Sequence, residues 1–314
     1  MYEPDAQAIR SAPGTMVIGV CTFRRPALAQ TLGSLAGQSL LQHTSCQVIV
    51  ADNDDTPSAL PIVEQARQEH ALALHYVHAP ARNISVARNA LLEKAQSLGA
   101  EYLAMIDDDE VADSNWAEEL LGKISDTSAD AVLGRVISIY RAEAAKWMRD
   151  ARLHDTSPVM NYHGEIHTGY TGNAIFRLNS PSVKRRRFDP ALGHTGGEDD
   201  AFFHGIVRDG GTIDFAPAAV VREAVPKERE RLSFLLRRSF RAGQTYALLN
   251  PSSGRGARAV KFTKAVTKVG VLMGLAGLVC FRPARRTKAL MRASLHAGVC
   301  SHLLGGTTLE LYRP

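Results

Sequence analysis

The chain has 314 residues, 45% of them apolar and 22% charged, enough for a large core and incompatible with a globally disordered chain. Its four cysteines, Cys21, Cys46, Cys280 and Cys300, show neither metal-ligand nor disulfide spacing, which excludes a disulfide scaffold and fits a reducing compartment. The net charge of +5 is unevenly spread: residues 222–314 hold 18 Lys or Arg against 4 Asp or Glu, leaving 19 basic and 28 acidic residues in 1–221. An acidic front and a basic rear point to different partners, and no nucleic-acid motif accompanies the basic charge, so nucleic acid is not expected.

The opening Met1-Tyr2-Glu3-Pro4-Asp5 has no basic start and no apolar run, so no signal peptide is expected, and 1–14 reads as a tail. From there short apolar runs alternate with helical stretches. Strands are expected at Met16–Cys21, Gln47–Ala51, Leu72–Val77 and Tyr102–Ile106, with helices near Ala27–Ala36, Ser58–Glu69 and Ser85–Leu98. This rhythm predicts an α/β fold, a mostly parallel sheet with helices on both faces. In such folds ligands bind beyond the C-terminal ends of the strands. The residues that follow each strand therefore matter most: Thr22 to Pro26, Asp52 to Asp55, His78 to Asn83, and Asp107-Asp108-Asp109-Glu110.

The middle of the chain is less regular. Ala131–Ile139 reads as a strand, Ala142–Arg149 as a short helix carrying Trp147, and Thr171-Gly172-Asn173 as a turn into a further strand. Gly193 to Asp200 reads as a flexible loop opening a helix, whose first-turn carboxylates also suit the helix dipole. Thr212–Phe215 and Ala219–Arg222 read as a final pair of strands.

The rear is helical and basic. Leu232, Leu235, Leu236, Phe240, Gly243 and Ala247 share one helical face, and Arg258, Lys261, Lys264 and Lys268 form a basic stripe. Val269–Phe281 then carries no charge over thirteen residues, short of the roughly 20 needed to span a bilayer. A second basic segment runs from Arg282 to Arg292. The pattern reads either as a membrane-surface element or as a buried helix pair with a solvated basic face.

The acidic cluster has two readings as well, a solvated loop or a cation site. Hard carboxylate oxygens suit Mg²⁺ or Mn²⁺, and such an ion in turn suits a diphosphate. Asp52 is placed to accept from a base or ribose, Thr22 and Arg24 to bond a nucleotide, and Arg82 and Arg88 to offer forked donors to phosphate or carboxylate. A general base remains to be supplied, and a carboxylate on the Gly-rich loop at Gly196-Gly197-Glu198-Asp199 is suited to it.

Taken in order, Val20-Cys21-Thr22-Phe23-Arg24-Arg25-Pro26, Val50-Ala51-Asp52-Asn53, Asn83-Ile84-Ser85-Val86-Ala87-Arg88-Asn89, Ile106-Asp107-Asp108-Asp109-Glu110, Thr171-Gly172-Asn173 and Gly196-Gly197-Glu198-Asp199 resemble glycosyltransferase family 2. The resemblance covers about residues 15–223 and is nearest to bacterial exopolysaccharide glucosyltransferases of the succinoglycan type. It implies a GT-A fold with a nucleotide-sugar half (15–110) and an acceptor half (111–223), followed by a helical region (224–314). It also implies transfer from a UDP-sugar with inversion, onto a saccharide or lipid-linked saccharide at the cytoplasmic face of the inner membrane. Thr22, Arg24, Asp52, Arg82, Arg88, Asp107 and Asp108 fall on the nucleotide-sugar side, with Asp52 at the uracil. Asp109 ligates Mn²⁺ or Mg²⁺. Asp199 is the base with Glu198 beside it, and Trp147, Gly172, Asn173 and Gly197 line the acceptor side. Where many relatives carry a His after the last core strand, this chain has Arg222-Glu223.

Two other functions fit parts of the pattern. A nucleotidyltransferase also uses carboxylates, metal and a nucleotide, but Thr22 to Pro26 lacks the glycines of a phosphate loop. A catalytically silent, membrane-bound assembly subunit would keep the fold without the carboxylates, and here Asp109 and Asp199 are both present.

Overall fold

A computed structural model describes residues 15–42, 46–70 and 72–310; the expected tail at 1–14 lies outside the described residues. Three strands, β1 (Met16–Thr22), β2 (Gln47–Asp52) and β3 (Leu74–His78), alternate with α1 (Leu28–Ala36), α2 (Leu60–Glu69) and α3 (Ile84–Ser97). After β4 (Tyr102–Asp107) come β5 (Glu110–Ala112), α4 (Trp116–Asp126), β6 (Ala131–Ile139), α5 (Lys146–Ala151), β7 (Asn173–Arg177), α6 (Glu198–Arg208) and β8 (Ile213–Ala224). All eight strands join one sheet in the order β3-β2-β1-β4-β7-β6-β8-β5. The first four are parallel; β7 runs antiparallel to both β4 and β6, and β5 antiparallel to β8.

The strands are buried on both faces, which is why they read as unbroken apolar runs. Alternate residues point to opposite layers. Ile18, Val20, Val48 and Val50 pack with Leu28, Leu32 and Leu35 of α1, Val63 of α2 and Trp116, Leu120 and Ile124 of α4. On the other face Val17 and Ile49 pack with Leu91 and Leu92 of α3 and Phe202, Phe203 and Ile206 of α6.

One expectation needs correction, and one element had no forerunner in the sequence. The final pair of strands is a single strand, β8. Its pairing with β6 shifts between Leu133 and Arg135, where Pro217 lies in the unpaired stretch. Proline has no N–H to give the ladder, so pairing lapses there while the strand continues as a bulge. The short strand β5 had no signature of its own, because its role is set by a distant partner, β8.

Three helices follow: α7 (Leu232–Leu249), α8 (Gly254–Leu278) and α9 (Pro283–Leu303). The backbones of α7 and α9 touch. A Cβ on Gly243 would stand 1.8 Å from the Leu295 carbonyl oxygen, and one on Gly298 would stand 1.9 Å from that of Phe240. Helix α8 lies along α9 and buries only Ala265 and Ala276. Among the described residues no helix is long and apolar enough to cross a membrane.

Candidate active site

The acidic cluster is a tight turn. Asp107 ends β4, Asp108 and Asp109 form the turn, and Glu110 opens β5. The Asp107 N–H donates to Glu110 Oε2 at 3.0 Å, closing the turn. Gly172 leaves the room: a Cβ there would stand 2.8 Å from Asp107 Oδ2 and 3.1 Å from Glu110 Oε1. Thr22 Oγ1 donates to Asp108 Oδ2 at 2.7 Å, and Arg25 Nη1 donates to Asp109 Oδ2 at 2.5 Å. Burial drives the carboxyls upward, Asp107 to about 7 and Asp108 to about 6, with the neighbouring carboxylates adding to the effect. Glu110, 2% exposed, is pushed well above its usual range for the same reason. The turn thus gathers carboxyls that burial disfavours in the charged form, with Arg88 opposing the shift at Asp107 and Arg25 at Asp108.

The Gly-rich loop brings a second carboxylate group to the same end of the sheet. Gly196 and Gly197 both have positive φ, 83° and 92°, a geometry that suits glycine. The two left-handed residues swing the chain into α6 so that Glu198 and Asp199 stand in its first turn. There Arg88 Nη1 donates to Glu198 Oε1 and to Asp199 Oδ1, both at 2.5 Å. The Thr171 N–H and hydroxyl also donate to Asp199, at 3.3 and 3.2 Å. Burial, opposed by Arg88, raises Asp199 to about 6, and burial beside Asp199 and Glu198 raises Asp200 to about 7. Glu198 Oε2 is buried without a partner among the described residues. Arg88 and Asp199 both act electrostatically on Asp107, so the two carboxylate groups form one site.

The motif around Arg88 is largely structural. Asn83 caps α3 by accepting from the N–H of Ser85 and of Val86. Asn83, Ser85 and Asn89 then donate to the carbonyls of Pro190, Asp189 and Phe188. These bonds fasten the 188–190 loop to α3 and so bring α6 to Arg88.

Residues 17–180 match the model of Glycosyl transferase family 2. The chain belongs to this family. It is 45% identical over 297 residues to "Succinoglycan biosynthesis protein ExoM" of Rhizobium meliloti (strain 1021), with 94% of each chain covered. Among solved structures it resembles the mannosyltransferase PcManGT from Pyrobaculum calidifontis in complex with GDP-Man and Mn²⁺. The TM-score is 0.60 at 19% identity, covering 94% of this chain and 88% of that one. It also resembles S. aureus TarS 1–349 in complex with UDP, with a TM-score of 0.53 at 17% identity, covering 93% and 92%. These likenesses are of fold, and the mixed sheet flanked by helices is the GT-A arrangement.

Within this family 2 glycosyltransferase the expected site residues divide by place. Arg88, Asp107, Asp108, Asp109, Glu198 and Asp199 converge, with Thr22 and Gly172 supporting the turn. Arg24 and Arg82 stand at the rim, engaged with Asp54 and Asp55 at 2.8 and 2.5 Å. Asp52 is fully buried, and its oxygens accept from the Ala59 N–H, the Tyr76 hydroxyl and the Asp54 N–H. In this structure it fixes the loop after β2 rather than presenting a carboxylate to a base. Asn173, also fully buried, accepts from Trp116 Nε1 at 2.8 Å and donates to the carbonyls of Arg135 and Ala219. It ties the sheet to α4 and does not face an acceptor. Gly197 packs on Thr245 of α7, and Trp147 is half-buried on α5, which touches α9.

Three residues of the site lay outside the expected set. Arg25 pairs with Asp109; its neighbour Arg24 was the one expected, and which of two adjacent arginines turns inward depends on the positive φ of 53° at Arg24. Glu223, the penultimate residue of β8, lies opposite Glu110 and pairs with Arg229 at 2.7 Å; burial and nearby Asp109 raise its carboxyl. Arg241 of α7, 4% exposed, donates to the Thr195 carbonyl at 3.0 Å and to the Gly196 carbonyl, clamping the loop that carries Asp199.

Proposed function

We propose that this chain is an inverting, metal-dependent glycosyltransferase that moves a hexose from a UDP-sugar onto a saccharide acceptor, lipid-linked, in exopolysaccharide synthesis. The observation that carries the reading is the convergence at one end of the sheet of an acidic turn, Asp107 to Glu110, and a carboxylate, Asp199, held by Arg88. The first suits a diphosphate with its cation, and the second suits the hydroxyl that attacks. The relative named for succinoglycan biosynthesis supports the pathway class. Neighbours solved with UDP, or with GDP-Man and Mn²⁺, support a nucleotide-sugar donor and a divalent ion.

The donor chemistry of the turn fits Mn²⁺ or Mg²⁺. Its ligands are hard oxygens, and burial, with the neighbouring carboxylates adding to it, raises Asp107 and Asp108, a shift that a cation beside them would oppose. Among the described residues no three acidic, His or Cys groups are arranged to hold an ion by themselves, so Asp109 would hold it together with oxygens from outside the protein. When bound, the ion offsets the charge that develops on UDP as it departs.

The protein's own residues perform the rest. Asp199 takes the proton of the acceptor hydroxyl as its oxygen bonds to the anomeric carbon, and UDP leaves from the opposite face. Glu198 offers its free Oε2 to a neighbouring acceptor hydroxyl. Arg88 keeps both carboxylates aimed, and its charge opposes the upward shift that burial gives Asp199. Gly197 and Trp147 border the acceptor side. The basic rear faces the cytoplasmic surface of the inner membrane, where a lipid-linked acceptor resides.

The test is a UDP-binding titration with and without Mn²⁺, followed by a UDP-sugar panel read out as donor hydrolysis. Metal-dependent UDP binding and turnover of one UDP-hexose are expected. Metal-independent or absent binding would overturn the reading.

A further inference from the structure

The rear of the chain carries a feature that sugar transfer does not use. Helix α8 is 25 residues long, about 37 Å, yet buries only two alanines. Its second half and the turn after it expose Val271 (65%), Met273 (52%), Leu275 (45%), Leu278 (83%) and Phe281 (93%). Contiguous apolar surface of this kind marks an interaction site.

Cations surround it. Lys264 and Lys268 on α8, and Arg285, Lys288 and Arg292 on α9, are exposed, and among the described residues none of them forms an ion pair. No Asp or Glu occurs anywhere from Leu232 to Leu309. The charge is therefore not balanced locally, and the partner that balances it must be anionic. A second copy of this chain would set like charge against like, so it is a poor occupant.

Between α8 and α9 lies a groove of about 490 Å³. Lys268, Arg292, His296 and Thr267 line its polar side, and Val271 and Leu295 its apolar side. Burial together with the nearby Lys268 and Arg292 holds His296 below its usual range, which places the three nitrogens in one electrostatic neighbourhood. A group with a phosphate at one end and hydrocarbon at the other matches both walls, and the exposed tip beyond continues the hydrocarbon surface.

We propose that the α8–α9 groove is a lipid-phosphate site: Lys268 and Arg292 take the phosphate of an anionic membrane lipid, whose chains lie against Val271 and Leu295. The α8 tip rests in the bilayer interface beside it. The inference rests on the membrane-surface reading above and adds to it a defined lipid site.

The test uses the full chain in two arms. In the first, the protein is sedimented with vesicles of phosphatidylcholine, alone or with phosphatidylglycerol. In the second, dihexanoyl phosphatidylglycerol below its micellar concentration is titrated calorimetrically, with inorganic phosphate as the comparison. Variants are Lys268→Met/Arg292→Met in the groove and Lys264→Met/Lys288→Met as an equal loss of charge outside it. All four positions are exposed, and thermal unfolding checks that each variant folds. We expect sedimentation with the phosphatidylglycerol vesicles and saturable binding of the short-chain lipid. That binding should weaken at least about tenfold in the groove variant and stay within about twofold in the control, with inorganic phosphate at least about tenfold weaker than the lipid.

Failure to sediment with either vesicle would remove the membrane reading and the lipid site together. Sedimentation without short-chain binding, or with equal binding in both variants, would remove the site and leave the membrane reading standing. Inorganic phosphate binding as tightly as the lipid would make the groove a site for free phosphate and overturn the proposal. A concentration-dependent dimer abolished by Leu278→Ser/Phe281→Ser, in a protein that ignores vesicles, would assign the tip to a second copy instead.

Discussion

Arg88 and Asp199, 111 residues apart in sequence, stand 2.5 Å from each other, and the same Arg88 nitrogen stands 2.5 Å from Glu198. A single buried cation therefore serves one buried carboxylate, Glu198, and one partly exposed one, Asp199. Arg88→Met removes the charge and keeps the bulk. It strips the shared partner from Glu198 and Asp199, of which only Glu198 is buried, so stability falls by up to about 3 kcal/mol. In whatever fraction folds, Asp199 titrates higher, and the acid limb of the transfer rate moves above about 6. Urea unfolding and a pH–rate profile measure the two effects; an unmoved acid limb would show that Arg88 does not tune the base.

Asp199 and Asp200 are adjacent and both raised, but only Asp199 is held by Arg88 and Thr171. Asp199→Asn is expected to keep UDP-sugar binding and lower transfer by about 10²–10⁴-fold, the range for a lost general base. Asp200→Asn is expected to cost less than about tenfold. Single-turnover transfer and donor titration on both variants separate them, and the reverse ranking would move the base to Asp200.

The raised carboxyls also predict how stability responds to pH. Asp107, Asp108, Asp199 and Asp200 move from 3.8 to about 7, 6, 6 and 7 on folding. Between pH 4 and 7 these four carboxyls therefore bind more protons in the folded chain than in the unfolded one, and their contribution to stability falls as pH rises, opposed in the upper part of the window by His75, His154, His204, His296 and His302, which burial holds below their usual range. The contribution is complete below about pH 4 and gone above about pH 7. Without metal or nucleotide, the unfolding temperature should be higher at pH 5.5 than at pH 7.5. Mn²⁺ with UDP should shrink the difference. A midpoint that climbs with pH over this window would contradict the burial of these groups.

Arg241 grips the loop that carries Asp199, the proposed base. Its guanidinium spans two successive carbonyls, Thr195 and Gly196, a reach that a lysine's single nitrogen does not reproduce. Arg241→Lys is expected to lower kcat by up to about 10²-fold while leaving donor affinity and the acid limb in place. A shift in the pH profile instead would assign Arg241 a direct part in setting the Asp199 charge.

Asn173→Leu strips the partners from Trp116 Nε1 and from the carbonyls of Arg135 and Ala219, all in the core. Each unsatisfied group costs about 1–3 kcal/mol, so a loss of at least about 3 kcal/mol is expected in chemical denaturation. Acceptor KM measured on the folded fraction should be unchanged.

Much of the front half was legible because local signals and tertiary structure agree there. The strands from Met16 to Asp107 are apolar runs bounded by turn residues, and the helices between them carry regular apolar faces, so boundaries fall within about two residues. Asp107, Asp109 and Asp199 were legible for a related reason: each follows directly on a strand or a glycine turn. Asn173 and Asp52 show the limit of motif reading. Both belong to the pattern that marks the family, yet both are spent on holding the scaffold. Arg25, Glu223 and Arg241 were not legible, since each enters the site through a contact between elements distant in sequence.

The glycine contact between α7 and α9 has a mechanical consequence. With Gly243 seated on the Leu295 carbonyl and Gly298 on that of Phe240, no layer of side chains lies between the two helices to be sheared or repacked. They tilt together or not at all. A displacement of α9 at this contact therefore moves α7 as well, and with it Arg241, two residues before Gly243, which grips the Thr195–Gly196 loop.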